Sequence, residues 1–142
     1  MDCIGRDAST QFRAMMDSTL GPEPNTLMIF YSGQTPELDG LARRDNKQTK
    51  LNLVLEPSLH LSGSSDHVHF HELQIPTMFF FTGFHLDYHT PGDTPDKLNY
   101  EKMTRVVRLA GDMILDLARR PQRPVFDTTI KEVKGTGRKY GG

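Results

Sequence analysis

The sequence predicts an α/β fold, and two patterns support that prediction. Three short apolar runs, at residues 26–31, 51–55 and 75–81, have the length and composition of buried strands. They alternate with segments in which apolar residues recur at helical spacing, the clearest of which lies at 103–117. Short strands that alternate with helices are typical of α/β domains.

The N-terminal half carries two predicted helices and two predicted strands. Apolar side chains at residues 12–16 are spaced for a short helix, and a Gly-Pro-Glu-Pro break follows them. The first strand, at 26–31, is closed by a Ser-Gly pair. Thr35 then offers a helix cap and Pro36 suits the first helical position, so we expect a short surface helix before the strand at 51–55.

The C-terminal half contains a short helix, the most strand-like run and the longest helix. Asp66 can cap a turn that carries the histidines from His67 onward. The run at 75–81 is aromatic and does not alternate, which favours a central strand covered on both faces. Asn99 can cap the last helix, whose apolar stripe we expect to be core rather than a cofactor site. That stripe comprises Met103, Val106, Val107, Ala110, Met113, Ile114 and Leu117.

Length and charge limit the possible functions. A chain of 142 residues is one domain at most. Its 17 basic and 18 acidic residues give a net charge of −1, so no nucleic acid or anionic lipid partner is indicated. We expect no membrane span, because no apolar run approaches about 18 residues. The single cysteine, Cys3, cannot form an internal disulfide.

The histidines are concentrated in one window of the chain. All six, at 60, 67, 69, 71, 85 and 89, fall between residues 51 and 90. Imidazole is the commonest protein metal ligand, so this window is where we look for chemistry. Asp93 lies four residues after His89 and could bond its second ring nitrogen. Alternatively, His67, His69 and His71 would share one face of a strand and could form a mononuclear zinc site.

The ordered string of motifs at 65–100 closely resembles the C-terminal part of the di-zinc aminopeptidase family. That family contains bacterial leucyl aminopeptidases, aminopeptidase Y and, as a divergent branch, glutaminyl cyclase. The resemblance implies the C-terminal portion of a three-layer α/β/α domain with a mixed central sheet over residues 1–120. Independently of the resemblance, the Gly/Lys-rich composition at 131–142 and the absence of an apolar period predict a linker or disordered tail over 121–142. The matching elements are Ser65-Asp66-His67, Phe70, Ile75-Pro76, Phe79-Phe80-Phe81-Thr82-Gly83 and Asp87-Tyr88-His89-Thr90-Pro91-Gly92-Asp93-Thr94.

The resemblance also implies a set of metal ligands. Residues 1–6 are similar to the family's Asp-Met-Ile-Gly-Arg element, with Cys3 where Met is more usual. Asp2 matches the aspartate that binds one zinc ion, and His89 matches the histidine that binds the other. We expect His67 and Asp93 to lie next to these ligands without binding the metal themselves. We expect His69 to be solvated.

Two further residues match positions that take part in the family's chemistry. Tyr88 resembles the residue that in some members helps to hold the oxyanion of the tetrahedral intermediate. Asp66 matches a carboxylate near the site, whose counterpart in the cyclase branch transfers protons. A phenol that donates to a developing oxyanion is commonly worth about 10²-fold in rate.

The implied function is that of a zinc-dependent exopeptidase, in which two zinc ions activate the water that hydrolyses N-terminal peptide bonds. The family's remaining ligands and its general-base glutamate precede the Asp2 element. We therefore expect this chain to hold part of the site, to be inactive in isolation, and to have as partners a peptide substrate and the missing N-terminal half of the domain. A non-catalytic remnant or interaction module of the same fold is the alternative. Members of the family are often secreted or periplasmic.

Overall fold

The computed structural model describes residues 1, 3–9, 24–58 and 65–131. The predicted helix at 12–16, the histidine at 60 and the proposed ligand Asp2 lie outside this part of the chain. Within it, no helix is both long enough and apolar enough to cross a membrane.

A three-stranded mixed sheet forms the centre of the described structure. Strand β1 (Thr26–Tyr31) runs parallel to β2 (Asn52–Glu56) and antiparallel to β3 (Met78–Phe81), in the order β2-β1-β3. Ile29 lies opposite Leu55 on one side and Phe80 on the other, which fixes the register. The sheet and its helices confirm the predicted α/β class.

Helices cover both faces of this sheet. Helix α1 (Glu37–Thr49) and helix α3 (Tyr100–Arg119) pack against one face, while the short helix α2 (His67–Glu72) stacks its first residue on Phe79 of the other. The first face buries Leu27, Ile29, Tyr31 and Phe80 with Leu38, Leu41, Ala42, Val106, Leu109, Ala110 and Met113. The second face buries Met28, Phe30, Phe79 and Phe81 together with Ala8, which belongs to the N-terminal segment.

Two of the three predicted helix caps are wrong. Helix α1 begins at Glu37 with Pro36 in the capping position, and no side chain, including that of Thr35, caps it. Asp66 precedes α2 but has helical dihedral angles and makes no side-chain cap bond. Asn99 does cap α3, since its side chain accepts a 3.0 Å hydrogen bond from the Lys102 amide. A capping residue ordinarily has a non-helical backbone, whereas Pro36 and Asp66 are both helical, and proline has no side-chain acceptor.

Two predictions about the core need correction. The aromatic strand β3 is buried on both faces as expected, but β1 holds the central position among the described strands and β3 pairs with β1 alone. Periodicity reports which faces of a strand are covered, not its place in the sheet. In α3, Val107 and Ile114 are exposed, whereas Lys102 and Leu109 are buried instead.

The segment after α3 forms neither helix nor strand as far as residue 131. It is tied to the domain by a 2.9 Å hydrogen bond from the Asp127 amide to the Gln34 carbonyl. Residues 132–142 lie outside the described structure, and the interpretation of 121–142 as a linker or tail stays a prediction.

Candidate functional site

The residues that carry the predicted chemistry meet in the loop that follows β3. His89 lies on this loop, exposed to solvent, with a left-handed backbone (φ 58°) that is uncommon for a residue other than glycine. Its ring stacks on Tyr88, with centroids 3.9 Å apart, and the Tyr88 ring meets the edge of Phe84 at 4.6 Å. Phe84 in turn packs against Phe81 of β3 at 5.1 Å. A continuous row of rings therefore links the imidazole of His89 to the core.

Charged groups surround the base of the same loop. The Arg6 guanidinium donates to carboxylates of Asp87 and Asp93, which stand on either side of His89 in sequence. Lys97 adds a second ion pair to Asp87, at 3.0 Å. Hydrogen bonds from Arg6 and then Lys97 hold the pKa of Asp87 below its ordinary value, so this carboxyl stays ionised at neutral pH.

Asp93 does not orient His89 in the way the sequence suggests. Its carboxylate binds Arg6 and stands 3.6 Å from the Nε2 atom of His85, and no hydrogen bond joins it to His89 in the described part of the chain. His85 is buried, and its Nδ1 atom has no hydrogen-bond partner among the described residues. Asp93 thus supports the loop through Arg6 rather than by fixing a tautomer of His89.

The N-terminal segment is fastened beside this loop. The Thr82 hydroxyl, at the end of β3, faces the carbonyl oxygens of both Cys3 and Arg6. The backbone amide of Asn99 donates to the Gly5 carbonyl at 2.8 Å, and the buried Lys102 ammonium binds the Asp7 carboxylate at 2.7 Å. The segment next to Asp2 in sequence is consequently held against the same end of the sheet as the His89 loop.

Asp66 and His67 lie at the start of α2. Asp66 is exposed, while His67 is buried and stacks on Phe79 with ring centroids 4.5 Å apart. Neither ring nitrogen of His67 has a hydrogen-bond partner in the described structure. Burial lowers the pKa of this imidazole, so it is neutral at pH 7. His67 therefore packs as an apolar ring.

The three alternating histidines point to different places. His67 is buried against the sheet, His69 is 83% exposed and lies 3.5 Å from Glu72, and His71 Nδ1 stands 3.1 Å from the Ser32 hydroxyl. The segment is helical, so residues two apart diverge by about 200° around its axis. The alternative of a mononuclear zinc site on these histidines is wrong.

Zinc in a catalytic site ordinarily takes three protein ligands. Across residues 1, 3–9, 24–58 and 65–131, no three His, Cys, Asp or Glu side chains converge as a metal site. These residues therefore do not fit a zinc ion by themselves, and only His89 presents an exposed imidazole on the loop. The implied ligand Asp2 cannot be placed, because it is outside the described residues.

Sequence reasoning assigned no role to Arg6, Asp87 or His85. The available signal was charge: Arg6 stands in the Asp2 element, and the loop at 84–97 is rich in carboxylates. Pairing across 81 and 87 residues is not visible in a single sequence, however, so the partners emerge only in the folded chain.

The comparisons with known proteins agree with this geometry. The family model described as Peptidase family M28 matches residues 7–114, which is most of the chain. An uncharacterized protein of Escherichia coli K12, YfbL, is 48% identical over 46 residues, which cover 30% of this chain and 14% of that protein. The crystal structure of the Legionella pneumophila LapA aminopeptidase superposes with a TM-score of 0.57 and 25% identity over 69% of this chain and 28% of that one. The chain therefore spans well under half the length of these relatives.

Because the matched region contains the sheet, α2 and the whole His89 loop, and because a solved aminopeptidase shares this fold, the chain belongs to peptidase family M28.

Proposed function

We propose that this chain forms part of the active site of a zinc-dependent aminopeptidase that cleaves the N-terminal bond of a peptide. One observation carries the proposal: His89, whose motif resembles that of the family's last histidine ligand, is exposed to solvent on a loop whose base is fixed by ion pairs. A histidine ligand needs an accessible nitrogen and a fixed ring, and the stacking on Tyr88 supplies the second condition. The Legionella aminopeptidase, which shares the fold, supports the class of reaction.

In the complete site, two zinc ions would supply Lewis-acid chemistry and an activated water. His89 and Asp2 are the ligands that this chain would contribute, and the remaining ligands must come from outside the described residues. Tyr88 is held within the row of rings, so its hydroxyl has a restricted range of positions from which to donate to an oxyanion. Asp66 is exposed at the start of α2. In an aminopeptidase it would support the site, whereas proton transfer is the role of its counterpart in the cyclase branch.

Substitution of His89 tests this assignment, and His69 provides the matched control. Both side chains are exposed histidines, so replacement by alanine should leave the fold intact in each case. Zinc is titrated into each purified variant while the imidazole resonances are followed by NMR. Because the described residues do not complete a zinc site, we expect weak binding in which the His89 resonances respond to zinc. The His89→Ala variant should lose that response, and the His69→Ala variant should match the parent chain.

Activity is measured with leucyl-4-nitroanilide. In a preparation of the natural protein that turns over this substrate, His89→Ala should lower kcat/KM by at least about a hundredfold, whereas His69→Ala should have little effect. The chain alone should show no turnover above a zinc-only blank. Equal losses in the two variants would contradict the role of His89. Tight binding of two zinc ions per chain with substantial turnover would contradict the proposal that this chain holds only part of the site.

A further inference from the structure

Arg6 makes a contact pattern that the proposed metal site does not explain. Its guanidinium donates through two nitrogens to Asp87 and Asp93, with Nη2 at 2.7 Å from Asp87 Oδ2. These two carboxylates bracket His89. A planar guanidinium is suited to bind two carboxylates at once, because its donors lie in a fixed fork, whereas an ammonium acts as a point charge.

The base of Arg6 is itself fixed to the core. Its carbonyl oxygen accepts a 2.6 Å hydrogen bond from the Thr82 hydroxyl, and Thr82 is buried directly after β3. The Lys102 ammonium of α3 lies 3.4 Å from the same carbonyl. The Arg6 side chain is 14% exposed, so its ion pairs are screened less than those of a surface pair. Arg6 therefore connects a rigid part of the fold to the loop.

The loop needs such a connection. His89 has a left-handed backbone, a conformation that costs free energy in residues other than glycine and persists only where surrounding contacts impose it. Inside the loop, the Thr90 amide donates to the Asp87 carbonyl at 3.0 Å and the Asp93 amide donates to the Thr90 carbonyl at 3.1 Å. The Arg6 fork holds both ends of this small hydrogen-bonded unit.

We propose that Arg6 is a positioning residue, which fixes the His89 loop and so places the His89 imidazole for metal binding. Arg6 belongs to the N-terminal segment at 3–9, so the same clamp joins that segment to the loop that bears His89. This inference rests on the proposed function of His89, but the clamp itself is measurable without metal or substrate.

The first test is backbone hydrogen exchange in the metal-free chain. Arg6→Ala should speed exchange at the Thr90 and Asp93 amides by about tenfold, since a hydrogen bond to a charged group is lost at each end of the loop. Arg6→Lys keeps the charge but not the planar pair of donors, so its exchange rates at these amides should lie between those of Arg6→Ala and the parent chain. Arg43→Ala is the control, because the ion pair of Arg43 in the described structure is with Asp39 of α1, and its loss should leave these amides unchanged.

The second test is the zinc response of the His89 resonances. Arg6→Ala should raise the apparent zinc dissociation constant obtained from these resonances by about tenfold, and Arg6→Lys should raise it by less. Arg43→Ala should leave it unchanged. If Arg6→Ala does not fold, Asp93→Asn removes one arm of the clamp and should speed exchange at the Asp93 amide more than at Thr90. Unchanged exchange in the Arg6 variants would overturn the inference. So would faster exchange in these variants with the same zinc response as a parent chain that does respond to zinc.

Failure of the proposed function has a different signature. In that case the His89 resonances of the parent chain would not respond to zinc, although Arg6→Ala would still speed exchange in the loop and so support the clamp.

Discussion

Thr82 offers a direct measurement of how firmly the N-terminal segment is held. Its side chain is 2% exposed, and its hydroxyl faces the carbonyl oxygens of Cys3 and Arg6. Thr82→Val preserves shape and β-branching and removes only the donor. Since one proton serves both acceptors, the loss corresponds to one buried hydrogen bond with its desolvated acceptor, about 1–2 kcal/mol. For a chain of this length that predicts a fall in Tm of roughly 3–6 °C.

Thr35 supplies the matched control for this substitution. It is 0% exposed, and its hydroxyl has no hydrogen-bond partner among the described residues. A buried hydroxyl without a partner costs free energy, so Thr35→Val should be neutral or stabilising. Urea denaturation at pH 7 measures both variants, and an unchanged m-value shows that the midpoints can be compared.

Two results would contradict this role of Thr82: equal shifts of the urea midpoint in Thr82→Val and Thr35→Val, or an unchanged midpoint in Thr82→Val. Either result would mean that the Thr82 hydroxyl does not hold the N-terminal segment. The position of Arg6, and with it the clamp on the His89 loop, would then have to depend on other contacts of that segment.

Two further predictions concern glycines and a buried histidine. Gly33→Ala should destabilise the fold by about 1–3 kcal/mol in the same urea assay, because the new Cβ would lie 2.6 Å from the Pro57 carbonyl oxygen. Gly40 lies in α1 with open space around it, so Gly40→Ala should stabilise the fold by about 0.5–1 kcal/mol. His67→Phe should keep the stacking on Phe79 and remove a pH dependence. Since burial lowers the pKa of His67, the unfolded chain binds the proton first below about pH 6.5, so the parent should lose stability relative to this variant between pH 7 and 5. A constant difference across that range would contradict this account.

Local sequence patterns predicted most of the fold. Helix α3 and its Asn99 cap could be predicted from spacing and a capping residue, because both depend on neighbours within one or two turns. The same patterns misplaced the caps of α1 and α2. The Thr35 hydroxyl makes no hydrogen bond within the described structure, and the backbone of Asp66 is already helical. They also could not order the strands, because the position of β3 depends on pairing with a segment about 50 residues away.

The candidate site divides in the same way. Tyr88 and His89 are adjacent in sequence and follow the predicted strand at 75–81, as the structure shows. The helical turn that separates His67, His69 and His71 was expected after Asp66 and is confirmed. Asp93 was assigned to His89 by proximity in sequence, yet its carboxylate binds Arg6, whose permanent charge and planar set of donors make it a strong partner for a carboxylate.

Short-range spacing and ordered motifs were therefore sufficient to predict the α/β class, the family and the loop that carries His89. The ion pairs of Arg6 with Asp87 and Asp93 could be identified only from the tertiary structure. Arg6 reaches Asp87 and Asp93 because the end of β3 and the start of α3 hold the N-terminal segment beside the loop. Ion pairs between residues far apart in sequence form where the packed core brings their two segments of the chain together.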